Sequence, residues 1–300
     1  MAAGGVLGLF LVAGVAHAAS LSVEIRNSEV WLIEEGKAKQ LTHDGKAKED
    51  AILSPSEGRI AYFDECPETE HCTPDVVILD LEGHRLKSFQ PQMGMDQPES
   101  ACGAIISITW EGDLAIAAEC HLNPSLSEYI ETELSSGRRR RDLLGYDFTP
   151  SPDGGLVAHV GAYPHFAPPY AQSNYLQLDD TRVYPLPKDT EPVEVDGTYT
   201  GIHEFGPGFY WSPDSRRIAF IDCTYKWTPN SPGSLSAGEG RESGRKCALA
   251  VVETDGRAKL FPLADVPPRE LNESHIAWAG PHKVSLAING STTSYAIGIR

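Results

Sequence analysis

Three stretches of this chain repeat one short pattern. Leu53 to Phe63, Pro150 to His159 and Trp211 to Phe220 each read as strand, tight turn, strand. The turns are Ser54-Pro55-Ser56-Glu57-Gly58, Ser151-Pro152-Asp153-Gly154 and Ser212-Pro213-Asp214-Ser215. Proline presets φ at the second turn position, and Asp or Gly tolerates the positions that follow. The apolar run after each turn is a buried strand. A hairpin cannot bury its own apolar face, so recurrence means that the copies stack on one another.

Two degenerate copies extend the series. One is Ile108-Thr109-Trp110-Glu111-Gly112-Asp113-Leu114-Ala115-Ile116; the other is Ile276 to Gly280 followed by Val284 to Ile288. Between these inner pairs lie outer pairs with acidic or glycine turns. They run Val30 to Thr42, Val76 to Phe89, Tyr129 to Leu143, Tyr175 to Leu186 and Ala248 to Leu263. Their turns are Glu35-Gly36, Glu82-Gly83, Ser136-Gly137, Asp179-Asp180 and Asp255-Gly256, all hairpin signals.

Five inner and five outer pairs predict an all-β fold, a β-propeller of five four-stranded blades. The chain opens on an outer pair and finishes after an inner pair. Its N- and C-terminal strands are therefore expected to complete one blade together, which closes the ring and removes sheet edges. Six blades is the alternative, because Val23 to Arg26 and Tyr295 to Arg300 are left over. No long amphipathic helix and no second domain stand out.

Residues 1–18 read as a secretory signal, leaving residues 19–300 as one domain. Val6 to Val15 is the apolar core and Ala16-His17-Ala18 the small-x-small cleavage site, although the usual positive charge is missing. The run is too short for a comfortable membrane span. No cysteine stands at the cleavage site, so no lipid anchor is expected. The mature chain is expected in the periplasm or outside the cell. Its six cysteines are an even number in an exported chain. Their spacing suggests local pairs: Cys66 with Cys72, Cys102 with Cys120, and Cys223 with Cys247. No CxxC occurs, which makes thiolate metal sites a minor alternative. A net charge of -17 argues against nucleic acid and anionic membranes as partners. The charge itself reads as a solubility device, and a monomer is expected.

The repeat resembles the TolB-like (WD40-like) propeller repeat. The likeness rests on Leu41-Thr42, Ser151-Pro152-Asp153-Gly154 and Trp211-Ser212-Pro213-Asp214, and covers nearly the whole mature chain. It implies a propeller that works through its surface. Relatives implied by it include TolB, which acts in the bacterial envelope through protein contacts, the propellers of prolyl oligopeptidases, and some polysaccharide lyases. This chain departs from each. TolB carries an α/β domain ahead of its propeller, whereas the first strand here follows directly on the signal. The peptidases carry a nucleophile elbow, and this chain has no GxSxG. The lyases generally have more blades. A free-standing propeller is the expectation.

Propeller geometry then sorts the loops. Turns within pairs fall on one end of the blades and are short. The connections Asp64 to Asp75, Gln90 to Ser107, Cys120 to Glu128, Gly161 to Asn174, Lys188 to Phe209 and Asp222 to Cys247 fall on the other end, with all six cysteines. Long loops usually mean function, so this end is the expected working face; protection of an exported protein is the plainer explanation of the disulfides.

Aligning inner pairs on the turn serine gives a column four residues earlier: Asp50, Asp147 and Gly208, with Ser107 and His275 in the degenerate copies. Glu49, His203, Glu204 and Glu273 lie nearby. These residues are expected to ring the mouth of the central channel, where they could hold a divalent cation or simply a polar, wet funnel. Partner-binding candidates are the aromatics Tyr163, His165, Phe166 and Tyr170 in one loop and Tyr225 and Trp227 in another, with inward packing as the alternative. The run Arg138 to Arg141 reads as a solvated edge. Asn272 and Asn289 match glycosylation acceptors, which matter only in a eukaryotic secretory pathway.

Two functions follow. The first is a non-catalytic module that binds a protein or polymer on the long-loop face, with no cofactor. The second is a metal-assisted glycan-active enzyme using Asp50, Asp147, His203 and His275.

Overall fold

The structure is a computed structural model that describes residues 21–64, 74–94, 101–123, 126–161, 174–185, 193–230, 240–264, 271 and 273–298. Every element with described bounds is a β-strand, and every ladder is antiparallel. The first sheet holds β1 (Leu21–Arg26), β2 (Glu29–Glu34) and β3 (Lys37–Gln40). The second is a four-stranded meander of β4 (Lys48–Leu53), β5 (Ile60–Asp64), β6 (Val76–Leu79) and β7 (Arg85–Phe89).

A seven-stranded sheet follows, running from β8 (Ile105–Glu111) through β9 (Ala115–Asn123), β10 (Leu126–Glu133), β11 (Arg139–Pro150), β12 (Val157–Gly161) and β13 (Leu176–Leu178) to β14 (Thr181–Tyr184). It is two meanders sharing one strand. β11 pairs with β10 up to Gly145 and with β12 from Gly145 onward. The next sheet joins β15 (Val193–Val195), β16 (Thr198–Trp211), β17 (Arg217–Pro229), β18 (Gly240–Glu253) and β19 (Ala258–Pro262). The last holds β20 (His275–Trp278), β21 (Lys283–Ile288) and β22 (Ser291–Ala296).

The Ser-Pro turn works through its serine. Ser54, Ser151 and Ser212 are buried. Their backbone N–H groups donate to the carbonyls of Arg59, Leu156 and Arg217, each at 2.8 Å. Their hydroxyls accept the N–H groups of the same three residues at 3.1, 3.0 and 3.0 Å. Proline opens the turn and serine closes it. All five outer-pair turns also fall where the glycine and acidic dipeptides place them.

Strand alternation sends one row of side chains to each neighbouring sheet. Ile60 and Tyr62 of β5 pack with Val30 and Leu32 of the first sheet. Ala61 and Phe63 of the same strand pack with Ile108 and Trp110 of β8. The same logic links β9 to β12 through Ala117, Leu143 and Val157, and β12 to β17 through Ala158, Val160, Ile218 and Phe220. Ala219 and Ile221 of β17 then meet Ile276 and Leu286. The innermost strands follow one another in space: β1 beside β4, β4 beside β8, β11 beside β16, and β16 beside β20.

Indole N–H groups tie three of these junctions. Trp110 Nε1 donates to Ile52 O at 3.3 Å, Trp211 Nε1 to Thr149 O at 2.8 Å, and Trp278 Nε1 to Tyr210 O at 2.9 Å. Each acceptor lies on the inner strand of the preceding unit. Stacked meanders with adjacent inner strands are the β-propeller architecture.

The ends of the chain differ from expectation. The described strands group into six meander units rather than five. Val23 to Arg26 belongs to β1; of Tyr295 to Arg300 only Tyr295 and Ala296 are strand, the end of β22, and 299–300 lie outside the described residues. Among the described residues, no ladder or shared core joins the first sheet to the last. Among the described residues β22 occupies the third position beside β21, and no ladder there joins the two chain ends into one blade.

Candidate binding face

The strand directions define two ends. Ser-Pro turns and outer-pair turns lie at one, the turn end. At the other, the mouth end, inner strands begin and the second strands finish. Asp64, Cys120, Gly161 and Asp222 take equivalent places there on β5, β9, β12 and β17. Both described disulfides sit at this end, Cys102 with Cys120 and Cys223 with Cys247. Cys66 and Cys72 lie outside the described residues, as do Tyr163, His165, Phe166 and Tyr170.

The aligned column has a backbone origin that the sequence reading did not anticipate. Asp50, Asp147 and Gly208 all have positive φ, at 52°, 57° and 138°. Each sits where its inner strand slips against its partner: between Glu49 and Ile52, Tyr146 and Thr149, and Gly206 and Tyr210. These are β-bulges, which bend a strand and re-aim a side chain. Asp and Gly recur there because they tolerate the left-handed conformation. Ser107 follows a register shift of its own without positive φ, and His275 begins a regular ladder with Ala287.

The column residues occupy successive stations and do not form one cluster. Asp50 Oδ2 accepts the Ile108 N–H at 3.1 Å, linking β4 to β8. Ser107 lies 3.5 Å from Glu119 Oε2. Burial pushes the Glu119 carboxyl above its usual range, and the charge of Asp147 adds to the shift. Asp147 is solvent-exposed, yet the protein crowded around it raises its carboxyl as well.

The next station is a buried polar centre. Asp222 is 4% exposed and accepts the Tyr184 hydroxyl at 2.6 Å. His203 Nδ1 lies 2.9 Å from its other oxygen. The His203 carbonyl accepts the Asn174 N–H at 2.8 Å, and Asn174 Oδ1 accepts the Phe205 N–H at 2.8 Å. Asn174 also donates to the Tyr146 hydroxyl and so stitches β11 to β16. Glu204 pairs with Arg245 at 2.5 Å. His275 meets the Tyr210 ring edge-on at 6.3 Å between centroids. Among the described residues, no three His, Cys, Asp or Glu side chains are grouped closely enough to hold a metal ion.

Three connections expected as long loops are largely strand among the described residues. Cys120 to Glu128 is the end of β9 and the start of β10, which pair His121 with Ser127, and Lys188 to Phe209 contains β15 and most of β16. Asp222 to Cys247 continues β17 to Pro229 and begins β18 at Gly240; Cys223 faces Cys247 across the ladder. β16 joins this ribbon by pairing Tyr199 with Trp227 and Ile202 with Tyr225. Trp227 is only 5% exposed, and Gly240 packs so closely beneath its ring that a Cβ there would collide. Tyr225 is half-buried under the Arg245 guanidinium, 5.0 Å from its centroid. Both aromatics pack their own ribbon and are not exposed anchors. Within the Arg138–Arg141 run, residues 138–140 are exposed, as a solvated edge requires; Arg140 and Arg141 each lie 3.1 Å from Glu131, and Arg139 lies 3.3 Å from Asp142.

Sequence reasoning missed Asp222, Tyr184, Glu119, Asn174 and Arg245. Asp222 had one signal, since it shares its repeat position with Asp64. Glu119 faces Ser107 across the β8–β9 ladder and Arg245 reaches Glu204 within one sheet, whereas Tyr184 and Asn174 make their contacts between sheets.

Fold and face together define a β-propeller with a disulfide-stapled end. No family model matches the chain, and no curated protein matches it. Similar solved structures include the hydrazine synthase of Kuenenia stuttgartiensis, at 14% identity, 90% of this chain, 71% of that chain and TM-score 0.43. A putative TolB from Agrobacterium tumefaciens shares 9% identity over 81% of this chain and 77% of that one, with TM-score 0.39. The β-propeller domain of the Trilobed protease from Pyrococcus furiosus shares 10% identity over 93% and 81%, with TM-score 0.41. These likenesses assign no activity, and the architecture rests on the ladders and shared cores. Among the described residues, no helix is long and apolar enough to cross a membrane.

Proposed function

We propose that this chain is an exported, non-catalytic β-propeller of the TolB-like repeat type that binds a protein or polymer partner on its mouth end. In this reading residues 1–18 are a cleaved leader, residues 19–300 are one domain, and the mature chain works as a monomer in the periplasm or outside the cell. The observation that carries it is an asymmetry between the two ends. The turn end is closed by short hairpins. The mouth end carries both described disulfides, the bulged residues Asp50, Asp147 and Gly208, and the ribbon of β16, β17 and β18. Rigid scaffolding around projecting backbone is what a recognition surface needs.

Site-specific photo-cross-linkers test this in the producing cell. Probes at Lys226 and Ser107 report the mouth end, and probes at Asp255 and Asp113 the turn end. Discrete adducts from the first two alone are expected. Adducts mainly from the turn end, or from neither end, would overturn the assignment.

The His203–Asp222–Tyr184 contact supports a second reading, acid–base chemistry on a glycan at the same end, because a buried carboxylate orients a histidine. Turnover of a polysaccharide panel that disappears in His203→Gln would favour it over simple binding.

A further inference from the structure

The arm that β17 and β18 build beyond the Cys223–Cys247 bond has two unlike faces. Along β17, Ile218 and Phe220 face the preceding sheet, and Ala219, Ile221 and Cys223 face the following one. Strand alternation carries this division outward. Thr224, Lys226 and Thr228 continue the first face, and their ladder partners on β18 are Lys246, Ser243 and Arg241. Tyr225 and Trp227 continue the second, with Glu242 opposite Trp227.

A bulge sorts the charges. The register of β18 shifts beside Gly244, whose φ is 66°. In a regular strand Lys246 and Arg241, five residues apart, would point to opposite faces; the extra residue brings them to the same one. It also brings Arg245 to the face of Glu242. There Arg245 lies over Tyr225 and pairs with Glu204 and Glu242, and Trp227 is buried. Among the described residues, the ion pairs of the arm are those of Arg245. Lys226, Arg241, Ser243 and Lys246 are exposed on the first face, and Thr224 and Thr228 are half-buried. Glu242 is the one acidic residue within 224–228 and 241–246, and it stands on the other face.

Each rung of the first face thus offers one cation and one hydroxyl: Lys246 with Thr224, Lys226 with Ser243, Arg241 with Thr228. Successive rungs are about 7 Å apart. We propose that this face binds a linear anionic polysaccharide, one that carries carboxylate or sulfate groups at regular intervals. The proposal rests on the mouth-end reading above and names its partner. Repeating charge on a polymer matches repeating rungs, and sugar hydroxyls match side chains that both donate and accept. A net charge of -17 repels a polyanion in general, which confines binding to a local cationic face. A folded protein partner needs an aromatic or apolar anchor, and the aromatics of the arm are turned to the other face. Nucleic acid needs a broader basic surface than three cations. Strand pairing and the disulfide hold the rungs in place before the polymer arrives, which lowers the ordering cost of binding.

Calorimetric titration of the mature chain with polygalacturonate and with dextran sulfate tests it. At least one is expected to bind, more weakly as salt rises, and uncharged dextran is expected not to bind. Which of the two binds tells carboxylate from sulfate. The triple substitution Lys226→Gln, Arg241→Gln, Lys246→Gln is expected to weaken binding about tenfold. The same charge change at the turn end, Lys37→Gln, Arg138→Gln, Arg216→Gln, is expected to leave it within about twofold. All six side chains are exposed, so both variants are expected to melt like wild type. No binding of either polyanion, an equal loss in both variants, or equal or tighter binding of poly-L-glutamate would overturn the proposal, the last by assigning the face to an acidic protein segment. If it is overturned while the cross-linker at Lys226 still captures a partner, the mouth-end reading stands without it.

Discussion

An indole N–H crossing from one blade to the next does two jobs at once: it satisfies an inner-strand carbonyl and fills the gap between sheets. Trp211 is the clearest instance, donating to Thr149 O from a ring only 9% exposed. Trp211→Phe is expected to cost about 1 kcal/mol, the net worth of the hydrogen bond. Trp211→Ala is expected to cost about 3–5 kcal/mol, because a cavity opens between two blades. Urea unfolding of both variants checks the pair of values. The Trp-Ser-Pro-Asp pattern was legible in the chain, but the carbonyl that receives the indole was not, since it lies 62 residues away. Asp147 poses the complementary question. Its φ of 57° strains an Asp and suits a Gly, the residue found at position 208. Asp147→Gly is expected to keep or raise stability by up to about 1 kcal/mol, whereas Asp147→Ala loses about 1 kcal/mol. If Asp147 serves recognition, the glycine variant will melt like wild type and still bind its partner poorly.

The ribbon of β17 and β18 shows where local pattern stops informing. Thr224-Tyr225-Lys226-Trp227-Thr228 alternates polar and aromatic residues, as a strand does. The partner run Arg241-Glu242-Ser243-Gly244-Arg245-Lys246 has no strand character and reads as a loop. It becomes a strand because β17 offers it a ladder and because Cys223 is bonded to Cys247. Arg245 then finds Glu204 and Glu242 and settles over Tyr225. Replacing both cysteines with serine is expected to cost about 3 kcal/mol from loop-closure entropy. The loss should concentrate in 224–230 and 240–246, seen as faster hydrogen exchange there, with the β17–β18 pairing nearer the turn end still protected. Uniform loss across all sheets would mean that the ribbon is part of the global folding unit.

At the scale of the whole molecule, opposing titrations set the pH of greatest stability. Burial, the largest cause in each case, raises the carboxyls of Asp64, Glu111, Glu119, Asp142 and Asp147. The fold therefore keeps protons that the unfolded chain releases, and stability from these groups is lost as pH rises above the usual carboxylate range of about 4. Asp113 and Asp153, held low by hydrogen bonds from Ser56 and Ser151, act in the other direction and lose their contribution as pH falls below about 4. Burial holds His159 low, so its neutral form is favoured in the fold and stability drops as pH falls below about 6.5. The net charge of -17 adds repulsion at high pH. The Tm is expected to peak in mildly acidic buffer, at about pH 5 to 6.5, and to fall above pH 7. A Tm that climbs steadily from pH 6 to pH 8.5 would show that the buried acids do not dominate. By itself the sequence determined the repeating hairpins, their turn positions, two cross-links and the propeller class, because turn chemistry and strand alternation are local or nearly so. Only the tertiary structure decided how the described strands are grouped, that the Asp50 and Asp147 column consists of bulges, and that Tyr184 and His203 meet on Asp222. Those outcomes depend on register and on sheet-to-sheet packing, which join residues far apart in the chain and leave no periodic trace along it.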